Sequence, residues 1–203
     1  MPNTRTLLLL LALVSTRPAV AQVQALHFGK VVTGQGRVIR NAVVLVRGDR
    51  IVQVGPEQDV AIPAAAEHRD LRAYTAIPGL IDAHTHMSFY WDRAPGSNPW
   101  GQLGTLGSGV TVFLAQENAR KTLETGVTTV RDLGSFDNMD LALRDLINRG
   151  AMPGPRMLVA GNGLHVSSSP YKPGAIPDPG QCDGVDAVQR VARQQAGRRR
   201  GLD

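Results

Sequence analysis

The sequence predicts an α/β protein: the N-terminal part of a (β/α)8 TIM-like barrel, preceded by a small β-sandwich. Residues 22–75 read as short strands joined by turns, whereas residues 76–203 alternate between strands and helices. Polar residues also gather where the later strands end, which is where barrel sites lie. A complete barrel needs about 250 residues. We therefore expect an incomplete barrel that holds its first three strand-helix units.

The first 21 residues predict a secretory signal peptide rather than part of the fold. Arg5 precedes the apolar run Leu7–Val14, and Ala19–Ala21 supplies the small residues of a cleavage site. The run is shorter than the roughly 20 residues that cross a bilayer. We therefore expect a protein that is exported, either periplasmic or secreted, with no membrane segment after cleavage before Gln22.

The excess of basic over acidic residues does not predict a nucleic-acid partner. The net charge is +5, but Arg5 and Arg17 leave with the signal, and the run Arg198–Arg200 carries the remaining excess. The body of the chain is near neutral and has no basic stripe interleaved with aromatic residues. We therefore expect no nucleic acid among the partners.

Three segments predict the strands of the small sandwich. Their Val-rich or alternating composition is typical of half-buried strands. Gly48-Asp49 within the second segment is the signal of a two-residue hairpin turn, and Ala42–Val46 predicts a sheet face with one side buried. The segments are His27–Thr33, Ala42–Gly55 and His68–Thr75.

The barrel segment opens with the apolar stretch Ile77–His84, which we expect to form a buried strand. A long loop then leads to a helix whose apolar residues recur at helical spacing and which Gly126 should end. Further strands and helices alternate after it. The expected helices are Val110–Glu124, Asn138–Gly150 and Gly184–Gln195, and the expected strands are Gly126–Gly134 and Arg156–Gly161.

Two histidines with a single residue between them, His84 and His86, end the first barrel strand. Residues two apart in a strand face the same side, so Asp82, His84 and His86 should point into the barrel, with the histidines at its C-terminal mouth. Two imidazoles there can both reach one ion at about 2.0–2.1 Å. The alternative is a pair of hydrogen-bonded core histidines. Their position at the end of a strand that opens a strand-helix series favours metal ligands.

Three motifs and the strand-rich segment before them resemble the metal-dependent amidohydrolase superfamily. The resemblance covers Ala25–Gln195 and points to the branch of imidazolonepropionase-like and Xaa-Pro dipeptidase-type enzymes. The motifs are PGLIDAHTH (Pro78–His86), GVTTVRDLGS (Gly126–Ser135) and GPRMLVAGNGL (Gly154–Leu164).

The resemblance implies a hydrolase that uses a divalent metal ion, expected to be zinc. His84 and His86 carry over as its metal ligands, and metal-activated water would attack a C–N bond in a small amide, a dipeptide or a cyclic amide. A small molecule or a dipeptide is thus the expected substrate of the full-length form. The resemblance leaves the metal's identity and the oligomeric state open.

The family's remaining site residues follow later strands: a carboxylated lysine, two histidines and an aspartate base. The sequence to Asp203 contains none of these positions. One allowed coding of Arg198–Asp203, read one nucleotide later, encodes Gly-Gly-Ala-Asp-Trp, which resembles the family's fourth strand. We therefore expect a truncated chain with weak metal binding and negligible activity, whether through a natural frameshift, a sequencing error or a real gene end.

Other residues are candidates for supporting parts of the site. Asp82 is expected to accept a hydrogen bond rather than to bind metal. Asp132 ends the second strand at the pocket face, where it either serves the site or caps the following turn. His165 could reach substrate from the third loop or be a solvated loop residue. Tyr90, Trp91 and Trp100 could wall a pocket or simply pack the first loop.

A second class of function stays open beside the hydrolase. Whether this chain is itself an enzyme is uncertain on the sequence, because it could be a non-catalytic binding or assembly module that keeps the sandwich and part of the barrel. Exposed apolar surface on an incomplete barrel would favour assembly into an oligomer. A folded, metal-free monomer would favour the binding module.

Overall fold

The computed structural model describes residues 22–98, 102, 106–168 and 180–199. The chain divides into two compact units, Met1–Pro78 and Gly79–Asp203. The expected signal peptide lies outside the described residues, so export stays a prediction. Within the described ranges, no helix combines the length and the apolar character that a membrane span requires.

The first unit contains a four-stranded sheet in the segment assigned to the small sandwich. The strand order is β3-β2-β1-β4, in which β1 runs antiparallel to β2 and parallel to β4. The hairpin turn at Gly48-Asp49 is confirmed, and Gly48 has the positive φ of +59° that its first position favours. The strands are β1 (Val23–Val32), β2 (Val38–Arg47), β3 (Arg50–Pro56) and β4 (Glu67–Ala76).

Both sides of β2 are buried, so the prediction of one buried side is wrong. Strand β2 lies between β1 and β3, and the segment after β3 covers one of its faces. Its apolar run is therefore continuous rather than alternating. On that face Val43 and Leu45 pack with Ala25 and Val60; on the other face Ala42 and Val44 pack with Val31 and Ile39.

The second unit alternates strands and helices as expected, and its sheet is parallel. The strand order is β5-β6-β7, so consecutive strands are neighbours, and the helices lie between them in sequence. Each predicted strand and helix is present, with ends shifted by a few residues. The elements are β5 (Leu80–Thr85), α1 (Ser108–Glu124), β6 (Val127–Asp132), α2 (Met139–Asn148), β7 (Arg156–Val159) and α3 (Val185–Arg199).

The predicted stop of α1 at Gly126 is confirmed. Gly126 has a φ of +90°, and its N–H donates to the carbonyl oxygen of Leu123 at 2.9 Å. A left-handed glycine just past a helix end is a common way to stop it. The chain then turns directly into β6.

Strand β5 is exposed, which corrects the prediction that Ile77–His84 is buried. Leu80 is 51% exposed and Ile81 73% exposed. Within the described chain β5 is an edge strand paired only with β6, while the apolar core of this unit lies around β6 and β7. That core consists of Met87, Ala115, Ala119, Val130, Leu141, Leu143, Met157 and Val159.

Gly79 packs tightly against β6 where β5 begins. A Cβ at this position would lie 2.1 Å from Oγ1 and 2.7 Å from Cβ of Thr128. Beside it, the N–H of Leu80 donates to the carbonyl oxygen of Gly126 at 2.9 Å, and Leu80 pairs with Val127. The absence of a side chain at Gly79 thus allows this close approach of the two strands.

Leu143→Ala is expected to lower the free energy of unfolding by about 3 kcal/mol, because Leu143 is fully buried and its truncation leaves a cavity. Urea unfolding of the purified chain measures the loss. Val110→Ala on α1 is the control, since Val110 is 53% exposed and its change should stay within about 0.5 kcal/mol. Equal losses in the two variants would contradict the assigned core.

Candidate metal centre

The C-terminal ends of β5, β6 and β7 meet at one edge of the parallel sheet. Active sites of (β/α)8 barrels lie at this edge. A cavity of about 210 Å³ opens there, and its lining combines two histidines with apolar residues and glycines. The lining residues are His86, Phe89, Leu133, Gly134, Gly163, Leu164 and His165.

His84 and His86 bring their Nε2 atoms together. The two atoms are 3.3 Å apart, and the rings meet edge to face at 66° with centroids 5.2 Å apart. Two nitrogen ligands at about 2.0–2.1 Å from one tetrahedral ion lie about 3.3–3.4 Å apart. The separation of the two Nε2 atoms therefore matches that of two ligands of one divalent ion such as zinc, and it equally permits a hydrogen bond between the two rings.

The second nitrogen of His86 has a partner that sets its protonation. Nδ1 lies 3.1 Å from the carbonyl oxygen of Gly134. Because a carbonyl oxygen only accepts hydrogen bonds, Nδ1 carries the proton when the ring is neutral, and Nε2 then carries the lone pair. Backbone carbonyls commonly fix the tautomer of metal-binding histidines in this way.

Asp82 serves the backbone of β5. Its Oδ1 accepts a hydrogen bond from the N–H of His84 at 3.0 Å. This contact stiffens the strand between the aspartate and the first histidine. Asp82 thus accepts a hydrogen bond as expected, while its exclusion as a metal ligand stays a prediction.

Asp132 ends β6 and accepts hydrogen bonds from the two residues that flank His86. It is fully buried, and its Oδ1 accepts hydrogen bonds from the hydroxyl of Thr85 at 2.9 Å and from the N–H of Met87 at 2.8 Å. Burial raises the pKa of Asp132 to about 6, against the lowering effect of these two bonds. Because Thr85 and Met87 flank His86, this carboxyl group positions the histidine turn.

Asp140 is a second buried carboxyl group, and sequence reasoning missed it. It lies in the first turn of α2, where its Oδ2 accepts from the N–H of Gly161 at 2.7 Å and its Oδ1 from the N–H of Leu141 at 2.9 Å. Burial raises the pKa of Asp140 above its ordinary value despite these bonds. An acidic residue in a first helical turn is the one signal that could have indicated it.

His165 lines the same cavity as His86 and is half-buried. Its backbone is held on both sides: its N–H donates to Gly180 at 3.2 Å, and its carbonyl accepts from Cys182 at 2.8 Å. Among the residues that the structure describes, no group of three or more His, Cys, Asp or Glu side chains is arranged to hold a metal. Within the described part of the chain, the pair His84 and His86 is thus not joined by a third side chain of these types in a metal-binding arrangement.

The first loop carries three candidate aromatic residues, of which the structure describes Tyr90 and Trp91. Trp91 is 42% exposed, and its Nε1 donates to the hydroxyl of Ser97 at 2.9 Å. Tyr90 is half-buried. Trp100 lies outside the described residues, so the prediction that it walls a pocket stays a prediction.

Comparison with protein families shows which family the chain belongs to. The model of the amidohydrolase family matches residues 75–197, more than half of the chain. The chain belongs to the amidohydrolase family. The match begins just before β5 and includes both histidines, so the resemblance inferred from the motifs is confirmed.

Curated relatives of this amidohydrolase include bacterial imidazolonepropionases. That of Cutibacterium acnes is 45% identical over 56 residues, which is 28% of this chain and 14% of the relative. That of Pseudomonas savastanoi pv. phaseolicola is 28% identical over 136 residues, 57% of this chain and 33% of the relative. The chain thus aligns with no more than a third of either relative.

Solved structures similar to this amidohydrolase include two related to prolidases. A Xaa-Pro dipeptidase with bound methionine has a TM-score of 0.74 and 25% identity, covering 87% of this chain and 45% of that one. A putative prolidase from Bifidobacterium longum has a TM-score of 0.63 and 28% identity, covering 90% and 40%. The chain spans less than half the length of each.

Proposed function

We propose that this amidohydrolase chain carries the first two metal ligands of an exported hydrolase that cleaves C–N bonds in small amides, dipeptides or cyclic amides. One observation carries the proposal: His84 and His86 bring their Nε2 atoms to 3.3 Å from each other at the C-terminal edge of a parallel sheet. Family membership supports the reaction class. Zinc is the proposed ion, since two imidazoles suit it.

The residues around the pair would hold the ion and orient its ligands. His84 and His86 would contribute Nε2 atoms, and Gly134 keeps the lone pair of His86 available. Asp132 fixes the backbone on both sides of His86. When bound, a divalent ion here would activate water for attack on a carbonyl carbon.

The cavity beside His86 would receive part of the substrate. Its volume of about 210 Å³ suits a small group, and Phe89, Leu133 and Leu164 give it apolar walls. An uncharged, compact group next to the scissile bond fits this lining. Dipeptides and cyclic amides both satisfy that description, and the names of the relatives support the two classes equally.

Metal analysis combined with substrate assays tests the proposal. Purified chain lacking residues 1–21 is titrated calorimetrically with Zn²⁺, then assayed in the presence of zinc with Xaa-Pro dipeptides and with imidazolone propionate. Because two imidazoles alone bind a metal ion weakly, we expect low-affinity binding of about one Zn²⁺ per chain and negligible hydrolysis of either substrate. A folded monomer that binds no zinc would contradict the proposal and favour the non-catalytic binding module.

A further inference from the structure

Asn118 lies on helix α1, and its side chain reaches the loop that follows His84 and His86. Its Nδ2 donates to the carbonyl oxygen of Met87 at 2.9 Å and to that of Phe89 at 3.2 Å. Asparagine is a poor helix former, yet Asn118 is half-buried within α1. Helix propensity does not account for it, whereas these two hydrogen bonds do.

The loop that Asn118 holds carries an aromatic ring stacked on His86. The N–H of Phe89 donates to the carbonyl oxygen of His86 at 3.0 Å, which closes a tight turn. The Phe89 ring lies parallel to the imidazole, at an angle of 8° and with centroids 4.3 Å apart. One face of His86 is thus covered while Gly134 holds its Nδ1 edge, and the Nε2 edge faces His84.

We propose that Asn118 is a positioning residue for His86 and acts through the stacked ring of Phe89. The inference rests on the proposed function, since it takes His86 as a metal ligand. Rotation of the imidazole would separate Nε2 from its counterpart on His84 and would break the stack. Because the stack needs the backbone of Phe89 in place, the two hydrogen bonds from Asn118 keep the ligand edge aimed at the metal position.

Asn118→Asp tests the inference with the smallest change of shape. It turns a donor into an acceptor opposite the carbonyl oxygens of Met87 and Phe89, so the loop must move away. We expect the affinity for Zn²⁺, measured by calorimetric titration of the chain, to fall about tenfold, as for other groups that orient metal-binding histidines. Phe89→Leu should weaken binding similarly, because it removes the ring but leaves the hydrogen bonds of Asn118.

Gln116→Ala is the matched control on the same helix. Residues two apart on a helix point in different directions, so this change should leave the affinity for Zn²⁺ at the wild-type value. A tenfold loss in Gln116→Ala would overturn the inference, because the effect would then belong to α1 as a whole.

Nitrogen NMR of the His86 ring in the metal-free chain gives a second readout. We expect one tautomer, protonated at Nδ1, in the wild type and an averaged signal in Asn118→Asp and Phe89→Leu. This comparison still tests Asn118 if the wild-type chain binds no zinc, an outcome that would contradict only the proposed function.

A folded variant with wild-type zinc affinity and an unchanged His86 signal would overturn the inference. If Asn118→Asp does not fold, the same comparison is made with Phe89→Leu.

Discussion

Replacing both His84 and His86 by alanine is expected to weaken Zn²⁺ binding by at least about 100-fold, beyond the range for groups that only orient a ligand. The two Nε2 atoms, 3.3 Å apart, are the donor pair that the described residues offer. Calorimetric titration with Zn²⁺ measures the loss, and any hydrolysis should disappear with it. The free energy of unfolding of the metal-free chain should fall by about 1–2 kcal/mol, because His86 is half-buried, stacks on Phe89 and bonds to Gly134, whereas His84 is exposed.

His165→Ala is the control for the double variant. His165 lines the same cavity as His86, so its replacement alters the pocket but leaves the donor pair intact. We expect zinc affinity within about threefold of the wild type, well below the 10-fold to 100-fold cost typical of orienting groups. A loss as large as in the double variant would make His165 a ligand and the two-histidine assignment wrong.

Asp140→Ala is expected to lower the free energy of unfolding by about 3 kcal/mol. The change removes the acceptor of the buried N–H of Gly161, and an unsatisfied buried donor costs about 1–3 kcal/mol, to which a cavity adds. Urea unfolding measures the loss. Asp186→Ala, at an exposed aspartate in the first turn of α3, is the matched control and should cost less than about 1 kcal/mol.

The pH dependence of the free energy of unfolding distinguishes the ionisation of the Asp140 carboxyl group from the packing of its side chain. Its pKa is raised in the folded chain, so the unfolded chain loses the proton first as pH rises. Stability from this group is therefore greatest below the ordinary pKa of an aspartate and falls as pH rises through the raised value. Asp140→Asn should make the fall shallower, both directly and because the charge of Asp140 also raises the pKa of Asp132. An unchanged slope would contradict the raised pKa of Asp140.

The proximity of His84 and His86 and the order of elements were predictable because both are local in sequence. His84 and His86 follow an apolar stretch, and strand period alone puts them on one side. The turn at Gly48-Asp49 and the helix stop at Gly126 depend on neighbouring residues only, and the structure has both where they were expected. Local patterns of this kind can be recognised without knowing which segments of the chain pack together.

The supporting residues were not predictable, because their roles depend on contacts between distant segments. Asn118 and Phe89 are 29 residues apart, and Asp140 and Gly161 are 21 apart. No periodic pattern marks such pairs. Burial of β5 was predicted wrongly for the same reason: its composition is apolar, but exposure depends on which other strands and helices cover it.

The close fit of Gly79 against Thr128 also bears on the pairing of His84 with His86. Side chains alternate along a strand, so a slip of β5 by one residue against β6 would present Ala83 and Thr85 where His84 and His86 now face. A bulkier residue at Gly79 would collide with Thr128 and favour such a slip. The pairing of the two Nε2 atoms thus depends on a glycine that contacts neither histidine, and a substitution five residues before His84 would separate them while leaving both histidines in the sequence.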